Sequence, residues 1–186
     1  MGKLRITGGF LLNKKIETLS NNAQIQIQPL NDRIRKSLFS SLLPNLHSAH
    51  VLDLFSGSGI LGFESISRNA SSVLGIEKNS QTCEAISQNI SNLKLNTNYS
   101  IINQDVFSYI FPKQFDIIFI DPPYNLKLPQ LFWTQIHSAT FTHTIILLRI
   151  KSLPLFSLPK DFLIFNYRKY KEISIILLKP KFESIT

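Results

Sequence analysis

The chain has 186 residues, 44% apolar and 17% charged, which fits one globular domain with or without a small appendage and excludes a disordered chain. It carries 20 Lys and Arg against 12 Asp and Glu, with the surplus at its two ends: seven basic and two acidic residues in 1–50, six and seven in 51–150, seven and three in 151–186. One cysteine, Cys83, excludes an internal disulfide, and with no secretory leader and no long apolar run the expectation is a cytoplasmic chain without a membrane span.

Lys3 to Thr7 alternates polar and apolar residues, Gly8-Gly9 signals a turn, and a second apolar stretch ends in Lys14-Lys15-Ile16. The spacing predicts a small basic β-hairpin. Ile25 to Gln28 alternates again. Pro29 and Asn31 then open a helix with Ile34, Leu38 and Leu42 on one face, Arg33, Arg35 and Lys36 elsewhere, and Pro44 as its expected end. Residues 1–46 are read as a basic hairpin and helix extension, and residues 47–186 as the main domain.

From 47 to 150 short apolar runs alternate with helical patterns. Strands are predicted at 51–55, 73–77, 99–103, 116–120 and 145–150, and Cys83, Ile86, Ile90 and Leu93 form a helical stripe. Doubly buried strands alternating with helices argue for a parallel sheet covered on both faces. Two further strands, 162–167 and 173–178, are separated only by 168–172. That gap is too short for a helical crossover, so they must pair as an antiparallel hairpin. The expected fold is α/β and Rossmann-like: a seven-stranded, mostly parallel sheet ending in an antiparallel hairpin, with helices on both faces.

The first strand of this domain runs into Asp53-Leu54-Phe55-Ser56-Gly57-Ser58-Gly59-Ile60-Leu61-Gly62. Glycines at 57, 59 and 62 fit a tight turn, a close backbone approach to a ligand and close helix packing, and Glu77 ends the next strand where a ribose-binding acid belongs. The pattern by itself also suits NAD. Asp53, inside the strand, is poorly placed beside a pyrophosphate and suits a ligand carrying an ammonium and a sulfonium, as S-adenosylmethionine does. Its plain alternative is a cap on the loop's own amides. Asp105 and Val106, after the third strand, can meet an adenine edge, or Asp105 can simply cap a turn.

The run Asp116 to Ile120 leads directly into Asp121-Pro122-Pro123-Tyr124. Each proline fixes its φ and lacks an N–H, so Asp121 and Pro122 are held rigidly with few local donors for their carbonyl oxygens. Such an acceptor pair can receive both hydrogens of a planar NH₂ group, and Tyr124 offers a face on which a base can stack.

These segments, with Asn31-Asp32-Arg33-Ile34-Arg35-Lys36-Ser37-Leu38-Phe39 and the opening Arg5-Ile6-Thr7-Gly8-Gly9, resemble the RsmD family of class I methyltransferases in order and spacing over most of residues 4–125. The resemblance implies transfer of a methyl group from S-adenosylmethionine to N2 of a guanine in 16S ribosomal RNA, within an assembling small subunit, by a monomer. It implies Asp121, Pro122, Pro123 and Tyr124 as the catalytic segment. Cofactor contacts fall on Asp53, Phe55, Ser56, Gly57, Gly59, Glu77, Lys78, Asp105 and Val106. RNA phosphates would be held by Lys3, Arg5, Lys14, Lys15, Arg33, Arg35 and Lys36. Two positions depart from the family's pattern: Gln28-Pro29-Leu30 stands where Arg-Pro-Thr is usual, and Arg149 where an acid is expected. The four histidines show no metal-ligand spacing, so no metal is expected. The competing readings are an adenine-N6 methyltransferase acting on nucleic acid, a methyltransferase acting on a protein glutamine, an NAD-dependent oxidoreductase, and a catalytically silent RNA-binding module.

Overall fold

Val51, Leu52 and Leu54, like Ile117–Ile120, put apolar side chains on both faces of their strands, so both faces must be covered. They become neighbouring central strands. The computed structural model describes residues 2–19, 29–111, 114–123, 126–151 and 159–182. In chain order these form β1 (Gly2–Arg5), β2 (Lys15–Thr18), α1 (Asp32–Leu46), β3 (His50–Leu54), α2 (Ile60–Ser67), β4 (Ser72–Glu77) and α3 (Ser80–Asn92). There follow β5 (Tyr99–Asn103), a 3₁₀ turn (Val106–Ser108), β6 (Phe115–Ile120), α4 (Gln130–Ser138), β7 (Thr140–Lys151), β8 (Phe162–Tyr170) and β9 (Ile173–Pro180).

The strands β5, β4, β3, β6, β7, β9 and β8 lie in that order in one sheet. The first five are parallel, and the last two are antiparallel additions. On one face the β1–β2 hairpin, α1, α2 and α3 pack around Ile6, Phe39, Phe63, Ile86 and Leu147. On the other, Phe132, Trp133 and Ile136 of α4 pack over Ile118, Ile120 and Leu148. No helix among the described residues is long and apolar enough to cross a membrane.

Two boundaries differ from the sequence reading. Pro44 lies inside α1, which continues to Leu46. A proline forfeits one helical hydrogen bond, but only a short piece of helix follows it, and Leu42 and Leu46 are both fully buried and hold that last turn against the core. The hairpin β8–β9 turns on Lys171 and Glu172 alone. Arg168, Lys169 and Tyr170 read as polar linker yet continue the ladder opposite Ile175, Ser174 and Ile173. Asn31 caps α1 as expected, its side chain accepting the Ile34 N–H at 2.9 Å. The alternating stretch Ile25 to Gln28 lies outside the described residues.

A buried ion cluster ties the first 46 residues to the sheet. Glu64 of α2 is completely buried and accepts the Thr7 N–H at 2.9 Å, the Thr7 hydroxyl at 2.8 Å and Arg35 Nε at 3.1 Å. It is also paired with Arg68. Arg35, expected among the phosphate contacts, is therefore not one: it has no exposed surface, and it also bonds the Arg5 carbonyl at 2.7 Å and Asp32 at 2.8 Å. Its helix position was legible, but the carboxylate that draws it inward is 29 residues away.

Gly62 is required by a close approach. A Cβ there would lie 2.4 Å from the hydroxyl and 2.5 Å from Cζ of the fully buried Tyr99. Gly62→Ala is accordingly expected to lower stability by about 1–3 kcal/mol, the usual cost of overpacking. Urea denaturation checks this, and an unchanged midpoint would contradict the packing described.

Candidate active site at the carboxyl ends of the central strands

The chain leaves β3 for β4 on one side and returns to β6 on the other, so a crevice opens between the carboxyl ends of β3 and β6, where open parallel sheets take ligands. Asp53 is level with Phe119, and Leu54 with Ile120. The glycine loop and the Asp121-Pro122-Pro123 segment thus leave adjacent strands at one edge of the sheet.

The loop after β3 turns through left-handed backbone at Phe55 (φ 58°), Gly57 (φ 54°) and Gly59 (φ 72°). The Ser56 hydroxyl donates to the Asp53 carbonyl at 2.7 Å, and the Gly59 N–H to the Ser56 carbonyl at 2.7 Å. At the end of β4, Glu77 accepts the Gly57 N–H at 3.0 Å and the Asn79 N–H at 2.9 Å. Its carboxylate is therefore fixed against the loop. Lys78 beside it is exposed.

Asp53 is 1% exposed, and its Oδ2 has no hydrogen-bond partner among the described residues. Burial, and then the nearby Asp121, push its carboxyl well above the ordinary range; the Gly62 amide opposes this and Glu77 adds to it. A buried acceptor without a donor costs free energy until something supplies one. Asp53 does not cap the loop with that oxygen.

Asp105 takes the plainer of its two readings at one oxygen, which accepts the Phe107 N–H at 2.9 Å at the start of the 3₁₀ turn. Val106 is buried beside it, and the Phe107 ring meets those of Phe55 and Phe132 edge-on at 6.1 and 5.7 Å.

Asp121 follows β6 and is ion-paired with Arg149 of β7. Burial lifts its pKa to about 6 despite the opposing guanidinium. Pro122 is buried and Pro123 exposed. Pro123's carbonyl accepts the Leu126 N–H at 2.9 Å, whereas among the described residues no backbone N–H reaches the carbonyls of Asp121 or Pro122. Tyr124 lies outside the described residues. Sequence reading noted Arg149 as a departure but missed its partner. The signal was available, because a cation ending the fifth strand must stand beside whatever ends the fourth.

The basic residues of the extension are spread out. Lys3 faces Glu17 at 3.4 Å and Arg5 faces Asp32 at 3.2 Å. Lys14, Lys15, Arg33 and Lys36 are exposed. Phe10 and Leu11 are bonded through their N–H groups to Ser67, which closes α2 at the end remote from the glycine loop.

Residues 4–179 match the family described as "Conserved hypothetical protein 95". Over 134 residues the chain is 32% identical to "Ribosomal RNA small subunit methyltransferase D" of Haemophilus influenzae, covering 69% of this chain and 68% of that one. The chain belongs to the RsmD family. A second RsmD relative, from Escherichia coli K12, is 33% identical over 129 residues, 68% of this chain and 63% of its own length. The solved structure of yhhF from Escherichia coli superposes with a TM-score of 0.85 over 97% of this chain and 99% of that one, at 24% identity. That likeness concerns the fold.

Proposed function

We propose that the chain transfers a methyl group from S-adenosylmethionine to the exocyclic N2 amine of a guanine in small-subunit ribosomal RNA. The observation that carries the cofactor is Asp53: a buried carboxylate oxygen with no donor, in a crevice where Asp53, Glu77 and Asp121 outnumber Arg149, suits a ligand that brings positive charge. S-adenosylmethionine supplies an electrophilic sulfonium methyl when bound. Asp53 would hold its ammonium end. Glu77 would accept its ribose hydroxyls, and Asp105 and Val106 would meet its adenine edge. Phe55, Ser56, Gly57, Gly59 and Lys78 complete the contacts.

The remaining work of the chain is to position a weak nucleophile. A guanine N2 lone pair is delocalised into its ring. Oxygen acceptors at Asp121 and Pro122 would bind both amine hydrogens, favour a pyramidal nitrogen and stabilise the positive charge that develops on it as the sulfonium–methyl bond breaks, and the Asp121 carboxylate or water would take the released proton. Proline rigidity fixes those acceptors in advance. Pro123 stiffens the segment and Tyr124 would stack on the base, which must leave its helix to enter. Residues 1–46 would serve as an RNA-contacting extension of the domain formed by 47–186, with Lys3, Arg5, Lys14, Lys15, Arg33 and Lys36 near phosphates. The setting proposed is the cytoplasm, with an assembling small subunit as substrate and the enzyme as a monomer. The names of the curated relatives support the substrate.

Calorimetry with S-adenosylmethionine and with NAD tests the cofactor. Asp53→Asn is expected to weaken S-adenosylmethionine binding by about 10- to 100-fold, because a buried ionic partner is lost. The same change should leave the unliganded protein at least as stable, since it removes a buried carboxyl whose charged form is disfavoured there. Binding of NAD and not of S-adenosylmethionine would overturn the assignment. Mass spectrometry of small-subunit RNA from cells lacking the protein, treated with the enzyme in vitro, reads the base and position modified.

A further inference from the structure

The second basic end of the chain takes no part in the site above. Residues 160–182 hold six Lys and Arg against Asp161 and Glu172, and they form the β8–β9 hairpin at the sheet's edge. Register brings that hairpin to the crevice end. Arg149, which touches Asp121, lies opposite Ile175, and Ile175 lies opposite Arg168. One step further, Lys151 is opposite Ile173 and Ile173 opposite Tyr170, so the Lys171-Glu172 turn stands at the same end of the sheet as Asp121. Three strand spacings separate β6 from β8, roughly 14 Å.

On the edge strand, Tyr167 and Lys169 project to the same face, two residues apart. Both are exposed, and Lys171 follows at the turn. Tyr167 is 54% exposed, yet its hydroxyl is held by the Ser174 hydroxyl at 3.0 Å, so the ring is both presented and pinned. The helix on this face, α4, covers the opposite end of the strand, where Trp133 meets Phe162 with ring centroids 5.5 Å apart. An aromatic ring fixed beside cations at a strand edge is the chemistry that holds single-stranded nucleic acid: the ring stacks a base and the cations neutralise its phosphates.

We propose that Tyr167, Lys169 and Lys171 form a second RNA-contacting surface, on which the strand flanking the target base stacks as it leaves the crevice. The inference rests on the RNA reading given above. The charge balance of the hairpin selects RNA as the occupant.

The test is binding of protein-free small-subunit ribosomal RNA across a salt series. Tyr167→Ala is expected to weaken binding by about 5- to 100-fold, with Tyr167→Phe close to wild type because the ring remains. The Lys169→Ala, Lys171→Ala double variant should flatten the dependence of log Kd on log salt by about one to two units. S-adenosylmethionine affinity should be unchanged in all three. Wild-type binding and salt slope in the Tyr167→Ala and double-lysine variants would overturn the inference and leave the proposed activity standing. So would a defect seen on ribosomal particles and absent on protein-free RNA, since a protein would then be the occupant. Failure of the wild-type chain to bind the RNA would overturn the RNA reading, and this inference with it.

Discussion

Asp121→Ala is expected to reduce the methyl-transfer rate by about 10²- to 10³-fold, the usual cost of losing one preorganised polar group at the reacting centre. S-adenosylmethionine affinity should change by no more than a few-fold. The substitution acts twice. It removes the side-chain carboxylate beside the place where positive charge develops, and it takes one ion-pair partner from Arg149. Asp121→Asn keeps an acceptor oxygen and should retain more activity. The wild-type rate should also fall as pH drops through about 6, where the Asp121 carboxyl takes up a proton. That acid limb should vanish in Asp121→Asn. It would not reflect unfolding at this group. Burial raises its pKa above the unfolded value, so the folded chain holds the extra proton between about pH 4 and 6, and its contribution to stability grows as pH falls through that window. Single-turnover rates across pH, with circular dichroism in parallel, decide the point. A full rate in Asp121→Ala would show that the Asp121 carboxylate takes no part in the transfer.

Glu64→Gln should be the most destabilising single change in the helical layer. Arg35 has no exposed surface, Arg68 is 9% exposed, and Glu64 is the carboxylate between them. Removing one partner from a buried ionic cluster costs about 3–5 kcal/mol, because Arg35 and Arg68 stay buried with only Asp32, among the described residues, left to offset them. At about 2–4 °C per kcal/mol for a chain of this size, the melting temperature should fall by roughly 6–20 °C. Thr7 keeps only one of the two acceptor oxygens that its N–H now reaches, so the β1–β2 hairpin should become sensitive to protease before the sheet does. A melting temperature within about 2 °C of wild type would mean that the cluster does not secure the extension.

The strand positions, the crevice loop and the rigid Asp121-Pro122-Pro123 segment were legible because each depends on near neighbours. Alternation, glycine spacing and the fixed φ of proline act within a few residues. Even the meeting of Asp53 with Asp121 could be argued, since parallel strands place their carboxyl ends at one edge. Charge pairing is different. Arg35 looked like a solvated cation on a helix, and only the packing of α1 on α2 sets it against Glu64. Arg149 looked like an anomaly at a strand end until β7 lay beside β6 and gave it Asp121. Arg168, Lys169 and Tyr170 read as a polar linker until pairing with β9 made them a strand. Sequence by itself determined which segments fold and where the ligand chemistry lies. The tertiary structure decided which charges are spent inside the protein and which remain for a partner, because a charge's free energy depends on the burial and neighbours that distant parts of the chain provide.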